Sequence, residues 1–276
     1  MDKIDLHIHT TASDGKLSPE EVLKLFSSKG YHTISITDHD NLGGWKIAAP
    51  IAENYGIDLI PGVEVSTQYR NLDVHILAYY MKETEELIEM LNETRLARAN
   101  RAEIILDKLW HLWGFELEMT QLEEISGSDD IIGRPHIAQA MLDKGYCNSL
   151  QEAFDCYIGD DCPAFHSKLS RSPQEVIGII RRAGGIPVLA HPGLLRKGGI
   201  VREIIAMGIQ GLEVYYKKHS KEQIDHYLNI AGNNHLIRTG GSDFHGFQKD
   251  FRFLDKSRVP QFCVRELKEL KGIAND

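Results

Sequence analysis

An α/β fold with a helical subdomain set into it is the architecture this chain predicts, and three observations carry it. Short apolar runs alternate with amphipathic helical patterns as far as Tyr79, and the same rhythm returns from Ser172 onward. Polar, ligand-type side chains stand repeatedly where an apolar run ends. Between the two rhythmic stretches the chain reads as mostly helical, and 276 residues suffice for one large domain with a smaller insertion.

The elements follow in order. Ile4-Asp5-Leu6 opens a strand, and Ser18-Pro19-Glu20-Glu21 combines a cap, a proline at the first helical position and an acidic third residue ahead of Val22, Leu23, Leu25 and Phe26. Gly30 releases the chain into a strand over Thr33 to Thr37. Trp45 to Tyr55 predicts a helix stopped by Gly56. Ile57 to Ile60 reads as a strand running into Pro61-Gly62-Val63-Glu64, and Leu72 to Tyr79 as another. Strands separated by helices favour a parallel sheet or barrel, whose ligand sites gather at the carboxyl ends of the strands.

From Glu83 the period changes. Leu87, Ile88, Leu91, Leu96, Ile104, Ile105 and Leu109 predict one long helix, with shorter ones near Arg134 to Leu142 and Leu150 to Tyr157. Residues 1–99 and 166–276 are therefore expected to form one interrupted domain, and 100–165 a helical insertion over one rim. Ser172-Pro173 starts the next helix, closed by Gly184-Gly185, and Ile186 to Ala190 is a strand delivering His191. The helix Ile200 to Met207 leads to the strand Leu212 to Tyr215, and Lys221 to Ala231 to the strand Leu236 to Thr239. Gly240-Gly241-Ser242 then reaches Asp243.

Composition narrows the classes. With 42% hydrophobic and 26% charged residues the chain is ordinary for a soluble protein. A net charge of -9 argues against a wide electrostatic grip on nucleic acid, although bound cations would make one pocket locally positive. MDKID lacks a basic segment followed by a long apolar run, and no later stretch reaches bilayer length, so a cytoplasmic protein without membrane contact or obligate protein partner is expected. Cys147, Cys156, Cys162 and Cys263 form no close pair and read as isolated reduced thiols.

The chemistry lies in a ligand series. In DLHIHTTASDG, His7 and His9 are two apart on an extended segment and so point to one side, while Ser13-Asp14-Gly15 is a turn that brings a carboxylate back toward them. His39 follows the second strand as a ligand candidate, with Asp38 beside it as a group behind the ligands. Glu64 is a carboxylate able to bridge two cations, and His75 sits between apolar Val74 and Ile76, where an imidazole needs a partner. His191 ends Val188-Leu189-Ala190, and Asp243 and His245 follow Gly240-Gly241-Ser242, which permits close packing of that loop. Each element alone is ambiguous, since an HxH pair can be plain surface polarity and a lone histidine a satisfied core group. Their shared placement at predicted strand exits favours a metal centre. Nine such ligands exceed one tetrahedral zinc site and suit two or three divalent cations with open positions. Mixed imidazole and carboxylate donors are compatible with manganese, iron and zinc alike.

DLHIHTTASDG, ITDHD, PGVEVS, the isolated His75, AHPG and GGSDFHG together resemble the PHP family, the polymerase and histidinol phosphatase superfamily of metal-dependent phosphoesterases. The resemblance implies a distorted seven-stranded β/α barrel. It also implies a trinuclear centre in which His7, His9, Glu64 and Asp243 hold one ion, Glu64, His75 and His191 a second, and Asp14, His39 and His245 a third. Asp14, GRPHIAQAM and the helical insertion resemble the branch of nucleoside monophosphate and 3',5'-nucleotide bisphosphate phosphatases, which also includes relatives of a ribonuclease trimming RNA from its 5' end.

The expected function is therefore hydrolysis of a phosphomonoester of a small nucleotide, such as AMP or a 3',5'-bisphosphate, by a metal-activated hydroxide. The alternatives are 5'-3' exonuclease action on a short 5'-phosphorylated RNA, histidinol phosphate hydrolysis, or a metal-stabilised binding subunit without catalysis. Arg134 is expected to grip phosphate, His136 to contact phosphate or protonate the leaving oxygen, and Asp38 to orient a histidine. The bland readings are a surface ion pair for Arg134 and a helix cap for His136. Tyr215, Tyr216 and His219 are candidates for a base or sugar pocket, with core packing the alternative for one tyrosine. Lys168, Arg171 and Arg196 rank lower, as a positive rim. His32, His111, His166, His226 and His235 fall outside the ordered series, and Trp110-His111-Leu112-Trp113 reads as packing within the insertion.

Overall fold

The computed structural model describes residues 3–70, 72–126, 132–159, 162–166, 171–195, 199–248, 250–252, 254 and 258–273. Among them, branched and aromatic runs form two ladders. β1 (Lys3–Ile8), β2 (Tyr31–Ile36) and β3 (Asp58–Leu59) lie parallel in that order. β4 (Gly62–Tyr69), β5 (Leu72–Tyr79), β6 (Ile186–Leu189), β7 (Gly211–Tyr216) and β8 (Ile237–Gly241) make the second, again in chain order.

Two expectations change here. β5 runs antiparallel to both β4 and β6; for β4 the short link between Tyr69 and Leu72 cannot carry the crossover a parallel pair requires. The strands also do not close into one seven-stranded ladder. At the two seams between the sheets stand single parallel bridges, Ile8 to Phe244 and His39 to Glu64. β3 is two residues long, and after it Ile60 N still donates to the Ile34 carbonyl of β2.

Helices cover the outer faces. α1 (Pro19–Ser28) starts on the expected capping box of Ser18 and Glu21 and buries Val22, Leu23 and Phe26. α2 (Gly43–Ala48) passes into a 3₁₀ turn over Ala49–Tyr55 where one helix was expected; Pro50 has no N–H with which to continue α-type bonding. α3 (Glu85–Trp113) is the predicted long helix. It is followed by α4 (Met119–Ser126), α5 (Arg134–Asp143) and α6 (Leu150–Ala153), the last continued by a π turn over Phe154–Ile158. α7 (Pro173–Arg182), α8 (Ile200–Ala206), α9 (Lys221–Asn233) and α10 (Gln261–Lys271) return to the sheets.

α3 joins two apolar cores. Its first half sends Leu87, Met90 and Leu91 against β4, β5 and α7, whereas Ala102, Ile105, Leu106 and Leu109 pack on Leu122, Ile137, Met141 and Ile158. The two groups lie on one continuous face of the helix, since Leu87 and Ile105 are five whole turns apart, and Leu96, 60% exposed, points to the opposite side. Trp113 packs its ring on Phe115 and Tyr157 within the helical part, while Trp110 is half exposed. Among the described residues no helix is long and apolar enough to cross a membrane.

The approach of β8 to β1 positions everything that follows. Gly241 leaves room for the backbone and side chain of His7: a Cβ at Gly241 would lie 2.3 Å from His7 Cβ. Gly241→Ala is expected to lower stability by about 1–3 kcal/mol through overpacking, read as a reduced urea midpoint. Binding of divalent metal should weaken in the same variant, because His7 is pushed from its place.

Candidate metal centre

β1 carries His7 and releases His9, and the extended spacing turns both rings into one space, with centroids 5.1 Å apart. The chain then doubles back, Ser13 N and Gly15 N donating to the Thr10 carbonyl at 3.0 and 2.9 Å, and buries Asp14 beside them. Asp38, arriving from the end of β2, holds this turn. Its carboxylate accepts from Thr10 N at 2.7 Å, Thr10 Oγ1 at 2.7 Å and Ser13 Oγ at 2.6 Å. Asp38 thus orients the turn that carries Asp14, and through Ser13 it stands behind His9. Burial pushes its pKa upward.

Glu64 and His75 differ from the expected strand-exit placement. Glu64 is the third residue of β4, and His75 lies within β5 opposite Ser66. The antiparallel pair brings both side chains to the same cluster. Glu64 Oε2 lies 3.1 Å from His7 Nε2, 3.2 Å from His9 Nε2 and 3.3 Å from His39 Nδ1. Its other oxygen, Oε1, lies 3.0 Å from His75 Nδ1 and 3.0 Å from His191 Nε2. Asp243 Oδ1 approaches the same His7 and His9 nitrogens at 3.7 and 3.4 Å. Asp14 faces His39 Nε2 at 3.7 Å and His245 Nε2 at 3.3 Å. All nine residues of the ligand series meet at one end of the sheets.

Three sets have donor atoms within 4.8 Å of one another: His9, Asp14, His39 and His245; His7, His9 and Asp243; His39, Glu64 and His75. Their electrostatics fit a cation. Burial alone would raise the carboxyl groups of Asp14, Glu64 and Asp243, yet the surrounding positive charges hold all three well below the usual carboxylate range. Burial would lower His9, but Asp243 and Glu64 outweigh it and hold its pKa up at about 10. A proton and a metal ion are alternatives at such a lone pair. The buried Nε2 atoms of His7 and His9 have no well-directed hydrogen bond among the described residues. Their contact with Glu64 has the geometry of donors grouped about a common point.

Groups behind the donors set their orientation. Glu213, wholly buried, accepts from His7 Nδ1 at 2.9 Å and from His191 N at 2.7 Å, so His7 presents Nε2 to the cluster. Asp5 accepts from His7 N and Ser242 N, and burial raises its pKa to about 6. Tyr216 donates its hydroxyl to Asp243 Oδ2 at 3.0 Å, and burial followed by the Asp243 charge lifts its pKa well above the ordinary value. It is 2% exposed, with its hydroxyl committed to Asp243. His219 is likewise committed: Nδ1 donates to the Val214 carbonyl at 2.9 Å, and Nε2 accepts from Gly193 N at 3.1 Å. Burial lowers its pKa. Tyr215 points to the apolar core and packs on Phe262.

A cavity of about 140 Å³ opens beside the cluster, between Asp14, His39 and His75 on one side and Arg101, Ile105, Gly133, Arg134 and Phe154 on the other. Arg134 Nη2 and Arg101 Nη1 both donate to Asp73 Oδ2, at 2.8 and 3.1 Å. His136 is not among the lining residues. It is 1% exposed, and its Nδ1 accepts from Gly133 N at 3.1 Å, which is the helix-cap reading. Arg171 pairs with Glu93 on the surface between α7 and α3, while Lys168 and Arg196 lie outside the described residues.

Sequence reasoning missed Glu213, Asp73 and Arg101. The first two carried a signal, a carboxylate inside the apolar strands Leu212-Glu213-Val214 and Leu72-Asp73-Val74. Arg101 carried none, since an arginine within a long polar helix is ordinary.

Comparison with known proteins agrees with this geometry. The chain is 31% identical over 282 residues to a 3',5'-nucleoside bisphosphate phosphatase of Chromobacterium violaceum, covering 99% of this chain and 98% of that one. It is 32% identical to a 5'-3' exoribonuclease of Haemophilus influenzae, over 88% and 90% of the two chains. A solved structure of a candidate metal-dependent phosphoesterase from Bifidobacterium adolescentis superposes with a TM-score of 0.86 at 30% identity, covering 99% of this chain and 97% of that one. The PHP domain pattern matches residues 5–160, and with these relatives along its whole length the chain belongs to the PHP domain family.

Proposed function

We propose that this protein is a metal-dependent phosphomonoesterase acting on small nucleotides that carry a terminal phosphate, with 3',5'-nucleotide bisphosphates and AMP as the substrate class. The observation that carries the reading is the division of one buried carboxylate between two histidine sets, with a third set gathered by Asp14. His7, His9, Glu64 and Asp243 would hold one divalent cation, Glu64, His75 and His191 a second, and Asp14, His39 and His245 a third. Manganese, iron and zinc all suit these donors. Bound there, such ions clamp phosphate oxygens and lower the pKa of water, so that a nucleophile exists near neutral pH.

The remaining work falls to the chain itself. Arg101 and Arg134 face the cluster across the cavity and offer guanidinium donors to a second anionic group, which favours a bisphosphate. Asp73 holds the two guanidinium groups together, and the rings of Phe154 and Phe165 under Arg134 keep it from swinging into solvent. A cavity of about 140 Å³ takes a phosphate-sized group and not a folded strand. Residues 100–165 form the helical unit that closes this side, and residues 1–99 with 166–276 the catalytic domain. The seam bridges support reading β1, β2 and β4 to β8 as a distorted barrel.

A second reading, 5'-3' exonuclease action on short 5'-phosphorylated RNA, draws on the exoribonuclease relative and on the same arginines, which would take the terminal phosphate. A phosphate-release panel of AMP, 3',5'-bisphosphates, histidinol phosphate and labelled short RNAs, run with defined manganese, iron or zinc, separates these readings. Release from the nucleotides is expected, and its absence from all of them in metal-replete protein would refute the proposal.

Asp243→Ala is expected to lose bound metal and activity together, as measured by metal content beside steady-state rates. Arg101→Met and Arg134→Met should leave metal content unchanged and raise KM for a 3',5'-bisphosphate more than for AMP; equal effects would remove the arginines from second-phosphate recognition. Glu213→Gln should weaken metal affinity about 10- to 100-fold, the usual cost of losing a group that orients a ligand, with metal titration as the check.

A further inference from the structure

Two of the donor residues have strained backbones. Asp243 has φ 49° and His191 φ 28°, in the left-handed region where a non-glycine residue costs about 1 kcal/mol or more. Both are held by the single stretch from Glu213 to His219, none of which belongs to the ligand series. Glu213 takes His191 N, and His219 takes Gly193 N. At Asp243 the corresponding hold is a buried ammonium. Lys217 Nζ donates to the Asp243 carbonyl at 2.5 Å and to Asp250 Oδ1 at 3.2 Å.

The rest of the loop hangs on the same pair. Asp250 Oδ2 accepts from His245 N and from Phe247 N, each at 3.2 Å. The Asp243 carbonyl also lies 3.1 Å from His245 Nδ1, and since a carbonyl only accepts, Nδ1 carries the hydrogen. His245 therefore offers Nε2 to Asp14. Lys217 and Asp250 side chains are 6% and 4% exposed, and an ion pair that deep contributes little net stability after desolvation. Its effect lies in the geometry it imposes on the loop.

We propose that Lys217 is a positioning residue for catalysis: by fixing the Asp243 carbonyl it sets the tautomer and direction of His245, and so governs occupancy of the cation set of Asp14, His39 and His245. The inference rests on the three-cation reading above. It assigns to that set a control outside the ligands, on the loop between β7 and α9. Of the other two sets, that of Glu64, His75 and His191 keeps its own holds, Glu213 and the β4–β5 pairing, while that of His7, His9, Glu64 and Asp243 shares the Lys217 hold through the Asp243 backbone.

The test compares wild-type protein, Lys217→Met and Lys217→Arg. Each is stripped with a chelator and titrated with manganese, with calorimetry, bound metal per chain and steady-state rates on AMP as readouts. Lys217→Met is expected to weaken manganese binding at part of the sites about 10- to 100-fold while at least one class of site holds. kcat should fall with little change in KM, and Lys217→Arg should recover much of both. Unchanged manganese binding and kcat in Lys217→Met would overturn the proposal, as would loss of all site classes together. Fewer than three ions in the wild type would refute the three-cation reading itself; Lys217 is then decided by whether its loss lowers kcat and arginine restores it. Should Lys217→Met not fold, Lys217→Gln, which keeps an N–H for the Asp243 carbonyl, is measured instead. Loss of folded protein in both would overturn the proposal by making Lys217 a determinant of the fold.

Discussion

Glu64 sets the condition under which the rest of this structure exists. Its carboxylate is 1% exposed and has five imidazole nitrogens within 3.3 Å, with Asp14 buried and Asp243 partly buried alongside. Three carboxylates crowded together repel one another, and positive charge at the same point makes the arrangement tolerable. Protons on the histidines supply that charge in part. Divalent cations match the donor chemistry better, and the crowding that would destabilise an ordinary core is what makes a tight site for them.

Holding such a cluster together takes directed bonds more than apolar area. The turn after β1 is tied to Asp38, His7 to Glu213, and the loop after β8 to Tyr216, Lys217 and Asp250. Positive φ values at His191 and Asp243 show where the backbone is bent away from its preferred conformation to aim a donor. The stability that offsets this strain comes from apolar clusters away from the site, chiefly the packing of α1 against β1 and β2 and of α3, α7 and α9 against the five-stranded sheet.

The helical segment plays a different part. It has its own apolar core and is joined to the sheets through the continuous helix α3, and it delivers Arg101 and Arg134 to a carboxylate on β5. Asp73 is two residues from His75 on the same strand, so one strand carries both a metal-type donor and the partner of the two arginines. That spacing fixes the distance between the two halves of the cavity without any flexible linker.

Much of the nine-residue series was legible in the sequence because its members are tied to local patterns: alternation puts His7 and His9 on one side, Ser13-Asp14-Gly15 is a turn, Ala190-His191 follows an apolar run and Asp243 a pair of glycines. Local pattern also determined α1 and α7, whose capping boxes need only four consecutive residues. Tertiary structure alone decided which carboxylate oxygen meets which imidazole and that β5 runs backward. It alone turned Tyr216 and His219 toward the backs of the donors and drew Arg101 from mid-helix to Asp73. These depend on contacts between residues far apart in the chain, such as Glu213 with His7 and Lys217 with Asp250. Spacing along a sequence records the direction a side chain leaves the backbone; it does not record what another element brings to meet it.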